Sequence, residues 1–342
     1  MSSNRLAQLS PFVYQCVDTR VHTSRWILSS ACSPRTLALQ PSVRAQWPVV
    51  DGLPAGLAAA IADRYGIVGT AVPILDGGDE CRLWRLDSIV VRLSPQWRTV
   101  EELAWTHRVA AALGASVPEV TRPVPAIDGT TAFSWQRAPV SVWPFVDGIP
   151  LDREEQPQRA RAARLLGRLH RAAATAPPMP DRPVSPAARA AGSALPDPAL
   201  DAWLQTWRAI QARHEPSGVL HGDYYRRNIL CRAGQIVGLL DWDDARSDLL
   251  ITELAWATWE LAKSPDGTAL LVERAADVAA EYRRAGGPAR PSAALVPLIR
   301  EHLRYEVDRA ERARLRGEPI DDGYRESEIV AFHALRDVRL SV

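Results

Sequence analysis

One stretch constrains the fold of this 342-residue chain more than any other: GVLHGDYYRRNILCRAGQIVGLLDWDD, Gly218 to Asp244. Three short β-like apolar runs are separated by polar segments, in a region whose flanks carry the helical period. Asp223 and Asn228 stand five apart. Asp241 follows thirteen positions later, after the apolar run QIVGLL, where the end of a strand can present it. Taken singly these are ordinary features, since His-Gly-Asp is a common turn and Asn a routine turn residue.

Taken together they are the parts that phosphoryl transfer requires. A carboxylate must orient the attacking hydroxyl, hard oxygens must hold Mg2+ against the nucleotide phosphates, and a cation must position those phosphates. An Asp with Asn five later, then a metal-binding Asp, is the arrangement of kinase catalytic loops.

Composition narrows the classes. A hydrophobic content of 46% and a charged content of 24% are those of a globular protein long enough for one large or two modest domains. The net charge of +1 calls for neither a nucleic-acid nor a membrane partner. No apolar run reaches the ~18 residues of a membrane span. Cys16, Cys32, Cys81 and Cys231 are scattered, and the seven histidines show no metal-ligand spacing, so reduced thiols in a cytoplasm are expected. Lys263 is the only lysine, which leaves the N-terminal half to arginine for any cationic task.

Residues 1–50 lack any sustained period and are expected to form a poorly ordered extension. From residue 51 to 147 the text is that of a small β-rich lobe with one intervening helix. CRLWRL and SIVVRL read as strands, Gly77–Gly78 as a turn before them, TVEELAWTHRVAAALGA as a helix, and AFSW and VSVWPFV as further apolar runs. Residues 148–342 are mainly helical around the β-like stretch, with a Pro-rich link, TAPPMPDRPVSP, between two helices.

HGDYYRRNIL together with GLLDWDDARSDLLITELAW resembles the aminoglycoside phosphotransferase / choline kinase-like superfamily, over about residues 66–342. The resemblance implies an α+β, protein-kinase-like bilobal fold, with a small β-rich N-lobe and a larger helical C-lobe. It implies a small-molecule kinase acting on a hydroxyl, with ATP, or GTP in its place, and Mg2+. Asp223 becomes the catalytic base and His221 a brace for its loop. Asn228 and Asp241 become Mg2+ ligands, and Asp243 either holds the loop or approaches a second metal. Gly77 and Gly78 fall in the nucleotide-covering loop. Trp143, Phe145 and Val146 fall at the hinge beside adenine. Glu253 stands where Asp is usual, in a buttressing position.

The N-lobe departs from the kinase pattern. Arg92 takes the place of the third-strand lysine, with Glu102, or the adjacent Glu101, as its expected helix partner. Arg82 and Arg85 are the alternatives should Arg92 face solvent. The Arg92 exchange also motivates a second class of function, a non-catalytic kinase-like binding protein. Plain roles are expected elsewhere: His107 and His170 packed on helices, Trp203 and Trp207 in the core, and the acids Glu301, Glu306, Asp308, Glu311, Asp321 and Asp322 on a mixed helix face rather than at a cationic substrate.

Overall fold

The computed structural model describes residues 52–74, 81–176, 179–183, 193–315 and 320–340. The extension expected over residues 1–50 and the turn at Gly77 and Gly78 lie outside the described residues. The chain has the α+β, bilobal kinase-like architecture that the motif pair implies.

The N-lobe is an antiparallel sheet of β1 (Val72–Pro73), β2 (Arg82–Leu86), β3 (Ile89–Leu93), β4 (Ala132–Trp135) and β5 (Ala138–Pro144), in the order β1-β2-β3-β5-β4. Period-2 alternation divides its two faces. Trp84, Val91 and Val142 point to one face, where α1 (Ala55–Tyr65) lays Leu57 and Ile61 on them. Arg92 lies on the opposite face, in register with Leu83 and Ser141. The helix α2 (Val100–Gly114) is capped by Thr99, whose side chain accepts from the Glu102 N–H at 3.1 Å. That Thr-x-x-Glu start satisfies a backbone donor that would otherwise be orphaned.

The C-lobe surrounds β6 (Ile149–Pro150), α3 (Gln156–Thr175) and α4 (Pro198–Ile210), and then the stretch from Gly218 to Asp244. That stretch forms two nested antiparallel pairs. The inner pair is β8 (Ile229–Arg232) with β9 (Gln235–Leu239), and β6 adds to its edge. The outer pair is β7 (Ser217–Leu220) with β10 (Arg246–Leu249), in which Leu220 faces Arg246. Nesting brings the β7–β8 loop, residues 221–228, beside the β9–β10 loop, residues 240–245. Two bonds close this approach: Leu240 N–H to Asn228 O at 2.8 Å, and His221 Nε2–H to Leu240 O at 2.7 Å. Sequence reading found β7, β8 and β9 but not β10, whose RSDL carries no apolar run and is a strand only because β7 pairs with it.

The helices α5 (Leu250–Ala262), α6 (Val272–Arg284), α7 (Leu295–Leu315) and α8 (Asp322–Ala334) complete the lobe. Leu165, Leu166 and Leu169 of α3 are fully buried in its core. Among the described residues no helix is long and apolar enough to cross a membrane. The Thr99 cap yields a test: Thr99→Ala should lower stability by about 1 kcal/mol, read as a small drop in the thermal midpoint.

Candidate active site

The catalytic loop is held from beneath by one buried carboxylate. Glu253, in the first turn of α5, accepts from the backbone N–H of His221 at 3.2 Å and of Gly222 at 2.5 Å. His170 of α3 donates its Nε2–H to the same carboxylate at 2.9 Å. The direction of that bond follows from Glu253, an ionised carboxylate with no proton to give, so Nε2 carries the proton. A neutral ring then accepts at Nδ1 from the Tyr282 hydroxyl at 2.9 Å, and that hydroxyl accepts from Ala289 N–H at 3.1 Å. Burial works against the Glu253 charge, but the bonds from His170 and the backbone hold its carboxyl below the usual range. His170 is thus packed in a helix, and it also braces the loop.

His221 is fully buried and neutral. Burial lowers its pKa, Nε2–H donates to Leu240 O, and Nδ1 accepts from Asp223 N–H at 3.3 Å. Gly222 has φ +91°, and a Cβ there would stand 2.0 Å from Asp244 O. Only glycine lets the two loops pass so closely. Asp223 follows with its carboxylate bonded to Asn228: Asn228 Nδ2 donates to Asp223 Oδ2 and to Asp223 O, each at 2.9 Å. Burial raises the Asp223 pKa well above the carboxylate range, and the negative charges of Asp241, Asp244 and Glu306 add to it.

The neighbouring loop turns sharply at Asp241, which has φ +59°, a conformation that Asp tolerates better than most residues. Arg92 reaches it across the cleft from β3. The Arg92 guanidinium grips Asp243 with both Nη atoms, at 3.0 and 2.7 Å, and its Nη2 also meets Asp241 Oδ1 at 3.2 Å. Burial opposes the Arg92 charge, but Asp241 and Asp243 outweigh it and raise its pKa. Burial likewise opposes the Asp241 charge, and Arg92 holds its carboxyl low. The Asp241 side chain remains 38% exposed against 7% for Asp243. Both Asp243 oxygens are occupied by Arg92, so of its two expected roles the geometry favours holding the loop over binding metal.

Glu102 is near this cluster, but the Arg92–Glu102 pair is not formed. Glu102 is bonded to Arg98 Nη1 at 3.4 Å and, more closely, to Arg182 Nη2. Both arginines also donate to Asp243 O, at 3.1 and 2.8 Å. The cause is local: two nearer guanidiniums neutralise Glu102, while the fork of Arg92 matches the Asp243 carboxylate. Arg98 and Arg182 were not singled out from sequence. Their only signals are the four-residue step from Arg98 to Glu102 and a lone basic residue within the Pro-rich link. Of the fallback cations, Arg85 lies over the Phe145 ring at 3.6 Å and donates its Nε–H to Asp87 O at 2.9 Å.

The hinge residues are partly committed to structure. Trp143 is buried against His107, with ring centroids 5.0 Å apart, and the Phe145 N–H is bonded to Ser88 O at 2.7 Å. Val146 packs beside Gly238. Most acids of α7 and the turn before α8 have structural partners. Glu301 pairs with Arg304, Asp308 with Ser193 and Ala194, Glu311 with Arg325, and Asp321 caps α8. Glu306, held by Arg309 at 2.8 Å, is the one that also acts on Asp223. Behind it Glu328 is 1% exposed, with the Tyr324 hydroxyl and the Lys263 charge only partly offsetting its burial.

The site therefore presents a bonded Asp-Asn pair, an aspartate on an adjoining loop and a guanidinium across the cleft, in a two-lobed fold. Those are the components of a kinase-type phosphotransferase. Residues 70–296 match the phosphotransferase enzyme family, and the chain belongs to it. It is thus a phosphotransferase by family. Similar folds occur in the amicoumacin kinase hAmiN in complex with AMP-PNP, Ca2+ and Ami (TM-score 0.61, 12% identity, covering 82% of this chain and 92% of that one). A choline/ethanolamine kinase family protein from Mesorhizobium loti gives TM-score 0.58 and 17% identity, covering 83% of this chain and 94% of that one. The microcompartment-associated aminopropanol kinase gives 0.55 and 16%, covering 82% and 95%. No curated protein matches the sequence.

Two measurements test this geometry. Gly222→Ala should cost at least about 3 kcal/mol in strain and clash and abolish turnover, checked by chemical denaturation and assay. The second concerns pH. Burial chiefly raises Glu328 to about 8. Its folded pKa lies above its unfolded one, so its stabilising contribution is full at acid pH and is lost as pH rises towards 8. The thermal midpoint of the wild type should therefore fall, relative to that of Glu328→Gln, between about pH 5 and 8. Parallel midpoints over that range would refute the buried-acid assignment.

Proposed function

We propose that the protein phosphorylates a hydroxyl on a small molecule with ATP, or GTP in its place, using Asp223 to orient the attacking hydroxyl and accept its proton. The observation that carries this reading is the meeting of three residues spread over nineteen positions. Asp223 and Asn228 are bonded to each other at 2.9 Å, and Asp241 stands on the adjoining loop. A carboxylate beside an amide, with a second carboxylate on the next loop, has no structural necessity of its own and costs electrostatic energy.

The donor set suits Mg2+. Asp241 and the Asn228 amide oxygen are hard oxygen ligands, and Mg2+ commonly takes one or two protein oxygens and completes its shell with water and phosphate. Bound there, Mg2+ would neutralise phosphate charge. Arg92 would supply the N-lobe cation for the nucleotide phosphates, and the chain from Trp143 to Val146 would border the adenine between lobes that divide near residue 147.

Glu306 and Asp244 make the surroundings of Asp223 negative. An acceptor carrying a protonated amine near its hydroxyl suits that field. The aminopropanol kinase, which shares the fold, acts by its name on an amino alcohol.

Asp223→Asn should lower kcat by roughly 10²–10⁴-fold and leave nucleotide affinity within about twofold, because the carboxylate acts on the hydroxyl and not on the nucleotide. Retention of a tenth of the wild-type kcat at saturating substrates would remove Asp223 from this role. Arg92→Ala should raise the KM for ATP and lower kcat, and Arg92→Lys should recover part of both as a point charge in place of a fork. Unchanged constants in Arg92→Ala would place the phosphate cation elsewhere.

A further inference from the structure

Kinase lobes are commonly coupled by an ion pair between the third-strand cation and a helix glutamate. In this chain that pair is absent, and the glutamate leads somewhere else. We infer that Glu102, Arg98 and Arg182 form a clamp that sets the position of the Asp241–Ala245 loop, drawing on α2 and on residues 179–183 between α3 and α4.

The clamp is dense and buried. The side chains of Arg98, Glu102 and Arg182 are 6%, 5% and 7% exposed. Glu102, on the first turn of α2, binds both guanidiniums. Each guanidinium then reaches the loop. Arg98 donates to Asp243 O at 3.1 Å and lies 3.3 Å from Asp243 Oδ2 and 3.6 Å from Asp244 Oδ1. Arg182 donates to Asp243 O and Ala245 O, both at 2.8 Å. The link that carries Arg182 is itself fastened to α2, since Trp105 Nε1–H donates to Pro180 O at 2.7 Å.

The choice of acceptors gives the clamp its meaning. Arg182 touches backbone carbonyls on either side of Asp244, so it fixes the path of the loop whatever its side chains do. Asp241 lies two residues before the first of those carbonyls, in a left-handed conformation that its neighbours must maintain. A guanidinium fork can span two carbonyls and a carboxylate at once, which a single ammonium cannot. Arg182 and Glu102 are therefore positioning residues. They act on nucleotide through Asp241 and the metal, not by contact.

This inference rests on the phosphotransferase reading, and the test separates the two. AMP-PNP binding to the full chain would be measured by calorimetry with Mg2+ and again in EDTA. Hydrogen–deuterium exchange of residues 241–245 would be followed in the metal-free, nucleotide-free protein. Arg182→Ala should weaken Mg2+–AMP-PNP binding about tenfold, change metal-free AMP-PNP binding less than twofold, and speed exchange at 241–245. Glu102→Gln, which keeps the side-chain shape, should weaken Mg2+–AMP-PNP binding and speed exchange in the same way while leaving metal-free binding within about twofold, and serves should Arg182→Ala fail to fold. Combining the two should add little, because they cut the same linkage. Wild-type affinities and exchange in both variants would overturn the clamp, as would equal losses with and without Mg2+, the mark of a general packing role. Wild-type protein that binds AMP-PNP in neither condition would overturn the phosphotransferase reading itself, and the clamp with it.

Discussion

The bond between Arg92 and Asp243 joins the two halves of this molecule. A strand of the N-lobe sheet extends one guanidinium across 151 positions of sequence to a carboxylate in the loop after β9. Burying such a pair has a large desolvation cost, and a buried pair is a weak source of net stability. Its effect is geometric. With both oxygens engaged, Asp243 fixes the distance from β3 to the loop, and Asp241, two residues earlier, is held within reach of Arg92 and of the Asp223–Asn228 pair. Arg98 on the same carboxylate and Arg182 on its carbonyl keep the surrounding charge compensated.

A second carboxylate does the corresponding work beneath the catalytic loop. Glu253 gathers two backbone N–H groups and His170, and the relay through Tyr282 to Ala289 leaves each buried polar atom on that path with a partner. The longer Glu side chain in a position where Asp is usual still delivers its oxygens to the His221 and Gly222 amides. Because the loop of Asp223 is anchored through backbone atoms, and its neighbour through Asp243 and backbone carbonyls, the Asp223 and Asp241 side chains are not consumed as anchors. Asp223 and Asp241 are accordingly among the less buried members of a buried cluster.

Legibility followed from where each constraint acts. Asp223, Asn228 and Asp241 could be read because the five-residue step and the strand-end position encode their meeting locally. Arg92 was readable as the N-lobe cation from its place in SIVVRL, but alternation alone left its face open, and only the register of β3 with β2 and β5 decides it. Its partner was not, because analogy supplied Glu102 while the register and the fork geometry chose Asp243. Arg98 and Arg182 left almost no trace, since the loop atoms they share are carbonyl oxygens, which every residue possesses. The strand β10 was missed for a related reason: pairing with β7, not its own composition, makes RSDL extended.

The positions of the missed residues bear on how such a site can vary. In a lysine-to-glutamate arrangement one ion pair both binds phosphate and reports the pose of the helix. Here the two tasks lie on different residues: Arg92 faces the aspartates and the cleft, and Glu102 speaks to the loop through Arg98 and Arg182. An ammonium is a point donor and can serve only one partner well, whereas a guanidinium can grip a carboxylate and still offer an edge to a second group. A chain with no lysine before Lys263 thus has reason to build its N-lobe from forks. Once Arg92 is committed to Asp243, the helix glutamate needs cations of its own, and an arginine from the Pro-rich link is near enough to provide one. Separation of this kind lets Arg92 hold the aspartates while Glu102 ties the helix to the loop by a different route.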